Sequence, residues 1–260
     1  MSHLLRIYHG LLFSEAMSAI LRLCLLLSFC LAPLAWGQSL ASECRQVMLV
    51  TASDWNQPTA QLRRYQRQGE QWQSVGGPIQ VTLGRSGLAW GRGEHDAPAS
   101  QEPLKKEGDQ RSPAGVYQIT QLWLRKGVAG PPSGGFPVHR IFPDTIGVDD
   151  PKSRYYNRIL RSGQIHEPDW DSWEKMDISD YDRVLVVAHN LDKPRPGEGS
   201  CIFMHRWEGP RKATSGCTAM AEKDLVQVIN WLRPDCHPRL VQLTGQAGTA
   251  WLQENHFPQK

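Results

Sequence analysis

The chain has 260 residues, and its 29 lysines and arginines against 26 aspartates and glutamates give a formal net charge of only +3. This near-neutral balance, without a basic cluster, does not support nucleic-acid binding. The length suits one domain with a sizeable hydrophobic core, and we find no internal repeat or low-complexity tract. Composition leaves the oligomeric state open.

The first 37 residues have the pattern of a cleaved export signal. Arg22 precedes the mostly apolar run Leu23–Leu34, and Ala35-Trp36-Gly37 follows as a small-x-small cleavage site. The run is too short to span a membrane, so no stable membrane span is predicted. We take Met17 as the true start. The sequence therefore predicts cleavage near Gly37, export to the periplasm, and a single domain over residues 38–260.

Short apolar runs separated by turn residues predict a mainly β domain. In chain order, strands are expected at 47–52, 61–68, 79–83, 116–121, 183–189, 200–205 and 239–243. The glycines of Gly84–Gly93 indicate tight turns or bulges, because the Gly-Lys-Ser/Thr ending of a phosphate-binding loop is missing. Residues 94–112 and 127–137 are expected to be loops.

The region 144–180 is too long for a plain connection inside a compact domain. It mixes acidic, basic and aromatic residues, and Trp170 and Trp173 lie near its end. Two interpretations stay open: a lid or substrate wall, or a solvated cover over the sheet.

A histidine and a cysteine are brought together by the pattern around residue 210. The strand 200–205 delivers His205 at its end, and a loop returns to Thr214-Ser215-Gly216-Cys217. Four apolar residues at the spacing of one helix face follow, and Pro234 ends the helix; they are Leu225, Val228, Ile229 and Leu232. Because a thiol needs a nearby base to act as a nucleophile at neutral pH, the pattern predicts Cys217 as nucleophile and His205 as base.

This arrangement resembles the signature of the L,D-transpeptidase (YkuD-type) catalytic domain, a histidine, a spacer and then Ser/Thr-His-Gly-Cys. The segment Gly108–Tyr117 is similar to that family's Thr-Pro-x-Gly-x-Phe/Tyr segment, and the similarity spans roughly residues 45–245. Two departures suggest a divergent branch. Ser215 stands where the family has histidine, and the arginine usual after the cysteine is missing from Thr218–Met220.

The resemblance implies a β-rich α+β fold: one YkuD-like β-sandwich domain with a few helices, one of which follows Cys217. It also implies an exported cysteine acyltransferase that acts on peptidoglycan stem peptides in cell-wall biogenesis and cell shape, without a cofactor. Transpeptidase and carboxypeptidase activities stay open. In such a domain a backbone carbonyl orients His205, so we assign no acidic partner.

Further candidates surround this pair. Backbone N–H groups near Gly216 are expected to bind the oxyanion, with Ser215 and Thr214 in positioning roles. His189, at the end of the strand 183–189, is a rival base or a substrate contact. Asn190 and Tyr156 are also candidates for substrate binding.

Four cysteines remain after cleavage: Cys44, Cys201, Cys217 and Cys236. Their spacing is not that of a zinc site, so no metal is predicted. Cys44 and Cys236 are our expected disulfide, with Cys201 as a buried strand thiol. Two other functions stay open: a non-catalytic wall-binding domain, and a cysteine peptidase or amidase for ordinary L-peptides.

Overall fold

The computed structural model describes residues 42–95, 103–131 and 135–257. The predicted signal peptide, with its start at Met17 and its cleavage near Gly37, lies outside the described residues. None of the helices within the described ranges is long and apolar enough to cross a membrane.

Strands dominate the described part of the chain. They are β1 (Gln46–Ala52), β2 (Thr59–Gln68), β3 (Gln71–Thr82), β4 (Leu88–Trp90), β5 (Ser112–Arg125), β6 (Val138–Ile141), β7 (Thr145–Val148), β8 (Arg158–Arg161), β9 (Trp173–Lys175), β10 (Arg183–Val187), β11 (Phe203–Arg206), β12 (Thr218–Met220) and β13 (Arg239–Thr244). The α-helices are α1 (Glu222–Trp231) and α2 (Gly245–Glu254), and short 3₁₀ turns occupy Ser162–Gln164, Ser179–Tyr181 and Pro234–Cys236.

The main sheet closes on itself. Its order is β10-β11-β12-β3-β2-β1-β13-β5, and β5 pairs in turn with β10, while β4 and β6 are attached to β5. The closed sheet surrounds a core built from the inward faces of its strands; β1, for example, is buried along almost its whole length. The expected mainly β fold is confirmed, with the two faces of the expected sandwich joined into a barrel-like sheet.

Helix α1 follows the cysteine segment as expected, with Leu225, Val228 and Ile229 buried on one face. It begins only at Glu222, because the short strand β12, which the sequence did not predict, comes first. Leu232 is buried beyond the end of the helix. Helix α2 was not predicted either.

Several strand boundaries differ from the expectation. Strands β3 and β5 are longer than predicted, and a short strand, β4, lies within the glycine-rich segment. Residues 200–202 are not part of a strand. There Cys201 has a φ of 52°, and its N–H donates to the Asn157 side-chain oxygen at 2.9 Å instead of to a neighbouring strand.

The predicted Cys44–Cys236 disulfide is absent, since all four cysteines of the described ranges are free thiols. The chain does bring the two segments together, because the Arg45 N–H donates to the Cys236 carbonyl at 2.8 Å. The Cys44 thiol, however, donates to the Gln46 carbonyl at 3.4 Å. Cys201 is a buried free thiol, as expected, but it lies outside the strand in which it was predicted.

The region 144–180 forms a small sheet of its own, in the order β8-β7-β9. Strand β7 lies in the middle and is fully buried, whereas Trp173 in β9 is 52 % exposed. This sheet and the 3₁₀ turn Ser179–Tyr181 form part of the wall of a cavity in front of Cys217.

Candidate active site

Two neighbouring parallel strands hold His205 and Cys217. Strand β11 pairs with β12 so that Met204 lies opposite Thr218 and His205 opposite Ala219. Cys217, the residue before β12, therefore lies opposite Phe203 of β11. Because alternate residues of a strand share a face, His205 lies on the same side as Phe203, one diagonal step from Cys217.

The Cys217 thiol lies in a mostly buried position. The residue is 7 % exposed, and its sulfur accepts a hydrogen bond from the Phe203 N–H at 3.4 Å and lies 3.7 Å from the Cys201 carbonyl oxygen. Burial raises the pKa of the thiol well above its usual range, and the nearby Glu174 carboxylate raises it further. In the resting site the sulfur is therefore protonated.

A backbone carbonyl orients the His205 ring. Its Nδ1 lies 2.7 Å from the Arg206 carbonyl oxygen, and a carbonyl can only accept, so Nδ1 carries the hydrogen. The other nitrogen, Nε2, is then free to act as a base. Burial lowers the pKa of this imidazole, so it is neutral at neutral pH. Among the described residues, no direct hydrogen bond joins the imidazole to the Cys217 thiol.

Hydroxyl groups from both sequence motifs hold the Cys217 backbone. Ser112 Oγ donates to the Cys217 carbonyl at 3.1 Å and accepts from the Gly84 N–H at 2.9 Å. Thr214 Oγ1 donates to the same carbonyl at 2.6 Å and accepts from the Gly216 N–H at 3.1 Å. The segment at the start of β5 and the cysteine turn are therefore directly connected.

Glycine is needed at two motif positions because other groups approach closely. A Cβ on Gly115, whose φ is 136°, would lie 1.9 Å from the ring of His95. A Cβ on Gly216 would lie 3.3 Å from both the Arg111 carbonyl oxygen and the Ile202 side chain. The second contact is a tight one, and the neighbours of Gly216 would have to move by a few tenths of an ångström to admit a side chain there.

A cavity of about 540 Å³ opens in front of the thiol. Its walls include every residue that the motif predicted: His205, Thr214, Ser215, Gly216 and Cys217. The remaining lining is strongly charged and comes largely from other segments; it includes Lys105, Glu107, Asp149, Glu174, Asp180 and Lys212. Such a site suits a substrate with several charged groups.

The three other candidates lie outside the lining of this cavity. His189 is 1 % exposed, and both of its ring nitrogens bond to backbone groups. Its Nδ1 accepts from the Arg92 N–H at 3.2 Å, and its Nε2 lies 3.0 Å from the Glu198 backbone carbonyl oxygen. Asn190 donates to the carbonyls of Arg195 and Gly199. His189 and Asn190 therefore hold the loop that precedes Ser200 in place.

Tyr156 is also buried, and its hydroxyl donates to the Glu107 carboxylate at 2.6 Å. Glu107 lines the cavity, and Ser200 Oγ donates to the same carboxylate at 2.7 Å. Tyr156 therefore holds Glu107 in position, although Tyr156 itself does not line the cavity.

The sequence missed three residues that contact this site. Ser112 lies inside the quoted motif, but its role depends on two distant backbone groups. Tyr181 packs edge-on against His205, with ring centroids 4.9 Å apart, and its hydroxyl donates to Glu174. No local pattern marks either Tyr181 or Glu174. Within the described ranges, no group of three His, Cys, Asp or Glu side chains is placed to hold a metal ion.

Comparison with known proteins places the fold in a family. The sequence profile of YkuD, the L,D-transpeptidase catalytic domain, matches residues 51–242. No curated protein sequence matches the chain significantly. Among solved structures, Bd1075 from Bdellovibrio bacteriovorus is 12 % identical with a TM-score of 0.37. The helical cell shape determining protein Pgp2 from Campylobacter jejuni is 15 % identical with a TM-score of 0.35. Each similarity covers 76 % of this chain but only 47 % of the solved chain, so the protein spans about half their length.

Proposed function

Because the chain belongs to the YkuD family of L,D-transpeptidase catalytic domains, we propose that it is an exported cysteine acyltransferase acting on peptidoglycan stem peptides. The observation that carries the proposal is the placement of Cys217 and His205 on one face of two paired strands, both lining one cavity. The hydrogen bond to the Arg206 carbonyl supports His205 as base, because it leaves Nε2 free.

In the first half of the reaction, His205 Nε2 takes the thiol proton as the Cys217 sulfur attacks a peptide carbonyl. This carbonyl follows the L-centre of a diamino acid in the stem. The tetrahedral intermediate collapses to a thioester, and His205 returns the proton to the amine of the departing D-amino acid. A substrate oxygen that needs the Gly216 N–H has to compete with Thr214, which already accepts from it.

In the second half, an acceptor attacks the thioester and restores the thiol. A side-chain amine as acceptor forms a crosslink, and water gives the carboxypeptidase outcome. His205 takes the proton from the acceptor and returns it to the sulfur, so the protons balance. We propose the periplasm as the location, with residues 1–37 as the cleaved signal.

One observation favours the alternative of a non-catalytic wall-binding domain. Burial raises the pKa of Cys217, and activated cysteines usually have a lowered pKa. On our proposal, His205 removes the proton only as the sulfur attacks, so the resting pair is neutral. The two functions differ in whether Cys217 can be acylated at all.

The direct test is intact-mass spectrometry of the mature protein after incubation with a carbapenem, whose strained ring acylates nucleophiles. We expect one covalent adduct on the wild type and none on Cys217→Ala. The matched control is Cys236→Ala, which removes a thiol outside the cavity and should keep the adduct. A folded wild type without any adduct would support the wall-binding alternative.

A second experiment separates the acyltransferase from an ordinary cysteine peptidase. Synthetic tetrapeptide stems with a D- or an L-configured last residue are incubated with the protein, with and without an added amine acceptor. We expect release of the D-residue only. Equal release of the L-residue would favour the peptidase.

A further inference from the structure

A second cavity, of about 630 Å³, lies on the same face of the closed sheet as the cavity in front of Cys217, here called the catalytic cavity. Residues that lie opposite each other on paired strands share a face, so Gln121 of β5, Val186 of β10 and Phe203 of β11 form one row that ends at Cys217. The first three residues of this row line the second cavity. The small sheet contributes one edge strand to each cavity, β9 to the catalytic one and β8 to the second.

The lining of the second cavity differs in its chemistry from that of the catalytic cavity. Most of it is apolar, and none of the described side chains that form it is acidic. Its polar side chains are Gln121, His139, Tyr155, Asn157 and Arg158. The catalytic cavity, by contrast, has several carboxylates and ammonium groups on its walls. The second cavity therefore suits an uncharged ligand that has apolar surfaces and a few hydrogen-bonding groups.

Trp123 gives this cavity a fixed aromatic surface. Its ring stacks on that of His139, with centroids 4.8 Å apart and planes at 23°, and its N–H donates to the Gln121 side-chain oxygen at 2.8 Å. The residue is nevertheless only partly buried. A flat aromatic plane held in this way can pack against the C–H face of a sugar ring.

Two hydrogen-bond donors at the same cavity are not used within the protein. Among the described residues, neither the Arg158 guanidinium nor the Gln121 side-chain amide nitrogen has a hydrogen-bond partner. Arg158 is exposed at the start of β8. Both groups can therefore donate to hydroxyl or amide oxygens of a ligand.

The distance between the two cavities matches the proposed substrate. The first residue of a peptidoglycan stem is attached to a sugar of the glycan strand, and the carbonyl under attack belongs to the third residue. Three extended residues span at most about 11 Å. Along the row, Phe203, Val186 and Gln121 lie one, two and three strand spacings from Cys217, about 5, 10 and 14 Å. The sugar of a stem bound at Cys217 is therefore within reach of the second cavity.

We propose that the second cavity binds a sugar of the glycan strand, an N-acetylated hexosamine, while the stem peptide occupies the catalytic cavity. The inference rests on the proposed action on peptidoglycan and adds a second contact to it. The Trp123 ring packs on the sugar, and Arg158 and Gln121 donate to its oxygens. The apolar side chains of Ile159 and Leu191, which also line the cavity, surround the acetamide methyl group.

The test measures binding in Cys217→Ala, so that no substrate is consumed. Three probes are titrated by isothermal calorimetry: the N-acetylglucosamine trisaccharide, the free tetrapeptide stem, and the same stem on its disaccharide. The variants, made in the Cys217→Ala background, are Trp123→Leu and Arg158→Gln. The matched control is Trp173→Leu, which removes an exposed tryptophan of the catalytic cavity from the other edge of the small sheet.

We expect the trisaccharide to bind, and the disaccharide-linked stem to bind about tenfold more tightly than the free stem, which is the size of one well-packed aromatic contact. Trp123→Leu should remove this difference and weaken trisaccharide binding by a similar factor. Arg158→Gln should weaken trisaccharide binding about threefold, as the loss of one hydrogen bond does. Trp173→Leu should leave the trisaccharide affinity and the ratio between the two stems unchanged.

The inference is wrong if the trisaccharide does not bind, if the two stems bind equally well, or if Trp123→Leu leaves the trisaccharide affinity unchanged. Dodecanoate is the competing probe: its binding through Trp123, without binding of the trisaccharide, would assign the cavity to an acyl chain instead. If Trp123→Leu does not fold, Arg158→Gln decides alone, because its side chain is exposed.

Failure of the proposed function is seen separately. A carbapenem adduct on the wild type without trisaccharide binding refutes only this inference. Trisaccharide binding that depends on Trp123, in a protein that forms no adduct, supports this inference and counts against acyl transfer.

Discussion

Replacement of Ser112 by alanine tests whether the two motifs form one site. The Ser112 side chain is fully buried and takes part in two hydrogen bonds, one from the Gly84 N–H at 2.9 Å and one to the Cys217 carbonyl at 3.1 Å. Alanine leaves the Gly84 N–H without this acceptor, and an unsatisfied buried donor costs about 1–3 kcal/mol. The Cys217 carbonyl keeps its bond from Thr214, so this second loss is smaller, about 0.5–1 kcal/mol.

We therefore expect Ser112→Ala to lower the free energy of unfolding by about 2–3 kcal/mol. In a domain of this size, this corresponds to a decrease in Tm of about 4–12 °C. Urea denaturation followed by tryptophan fluorescence measures the first quantity, and calorimetry the second. Carbapenem adduct formation at Cys217 should slow in the same variant, because the backbone of the nucleophile loses one of its two hydroxyl contacts.

Thr82→Val is the matched control. The Thr82 hydroxyl is fully buried in the same sheet but has no hydrogen-bond partner among the described residues. Removing it should change stability by less than about 0.5 kcal/mol, or increase it. If Ser112→Ala and Thr82→Val have the same stability, the hydrogen bonds of Ser112 do not hold the site together and the reasoning is wrong.

Three more predictions concern buried ionisable side chains. Because burial lowers the pKa of His205 from 6.5, carbapenem adduct formation should lose rate on acidification only below pH 6.5, as stopped-flow or quench mass analysis can show. Burial lowers the pKa of His189 to about 3, so below pH 6.5 the unfolded state binds more protons than the folded state. The free energy of unfolding should therefore fall as the pH is lowered from 6.5 to 3. In His189→Gln this fall should be less steep. Lys105→Met removes the cation of the buried ion pair with Asp109, whose charged atoms lie 2.5 Å apart. Urea denaturation should show a loss of about 3 kcal/mol in the free energy of unfolding, because the Asp109 charge stays buried without its partner. Adding Asp109→Leu should recover part of this loss.

Local patterns in the sequence were enough to predict the fold class and the placement of the cysteine and histidine. The apolar run before His205 and the helix face after Cys217 depend only on neighbouring residues, and the structure has both elements. His189 has the same local pattern as His205, an apolar strand that ends near a histidine. The difference lies in tertiary contacts, because the nitrogens of His189 bond to the backbone of Arg92 and Glu198, and of the two histidines only His205 lines the cavity.

The missed elements have weak local signals. Helix α2 contains Gly245, Gly248 and Thr249, which are poor helix formers, and it is stabilised by packing of Trp251 into the core. The strands β7, β8 and β9 have three or four residues each, too few for an alternating pattern to stand out. The contacts of Tyr181 with Glu174 and His205 join segments that no local pattern relates to one another, so they cannot be seen in sequence spacing.

The walls of the catalytic cavity come from two parts of the fold, and the two parts contribute different properties to the site. His205 and Cys217 belong to strands or strand ends of the closed sheet, where pairing in register fixes their relative position. Trp173 and Glu174 come from β9 of the small sheet, and Asp149 directly follows β7. A change in the small sheet can therefore alter the charge and shape presented to a substrate without moving the register of β11 and β12. Glu174 is the exception, because its carboxylate raises the pKa of the Cys217 thiol.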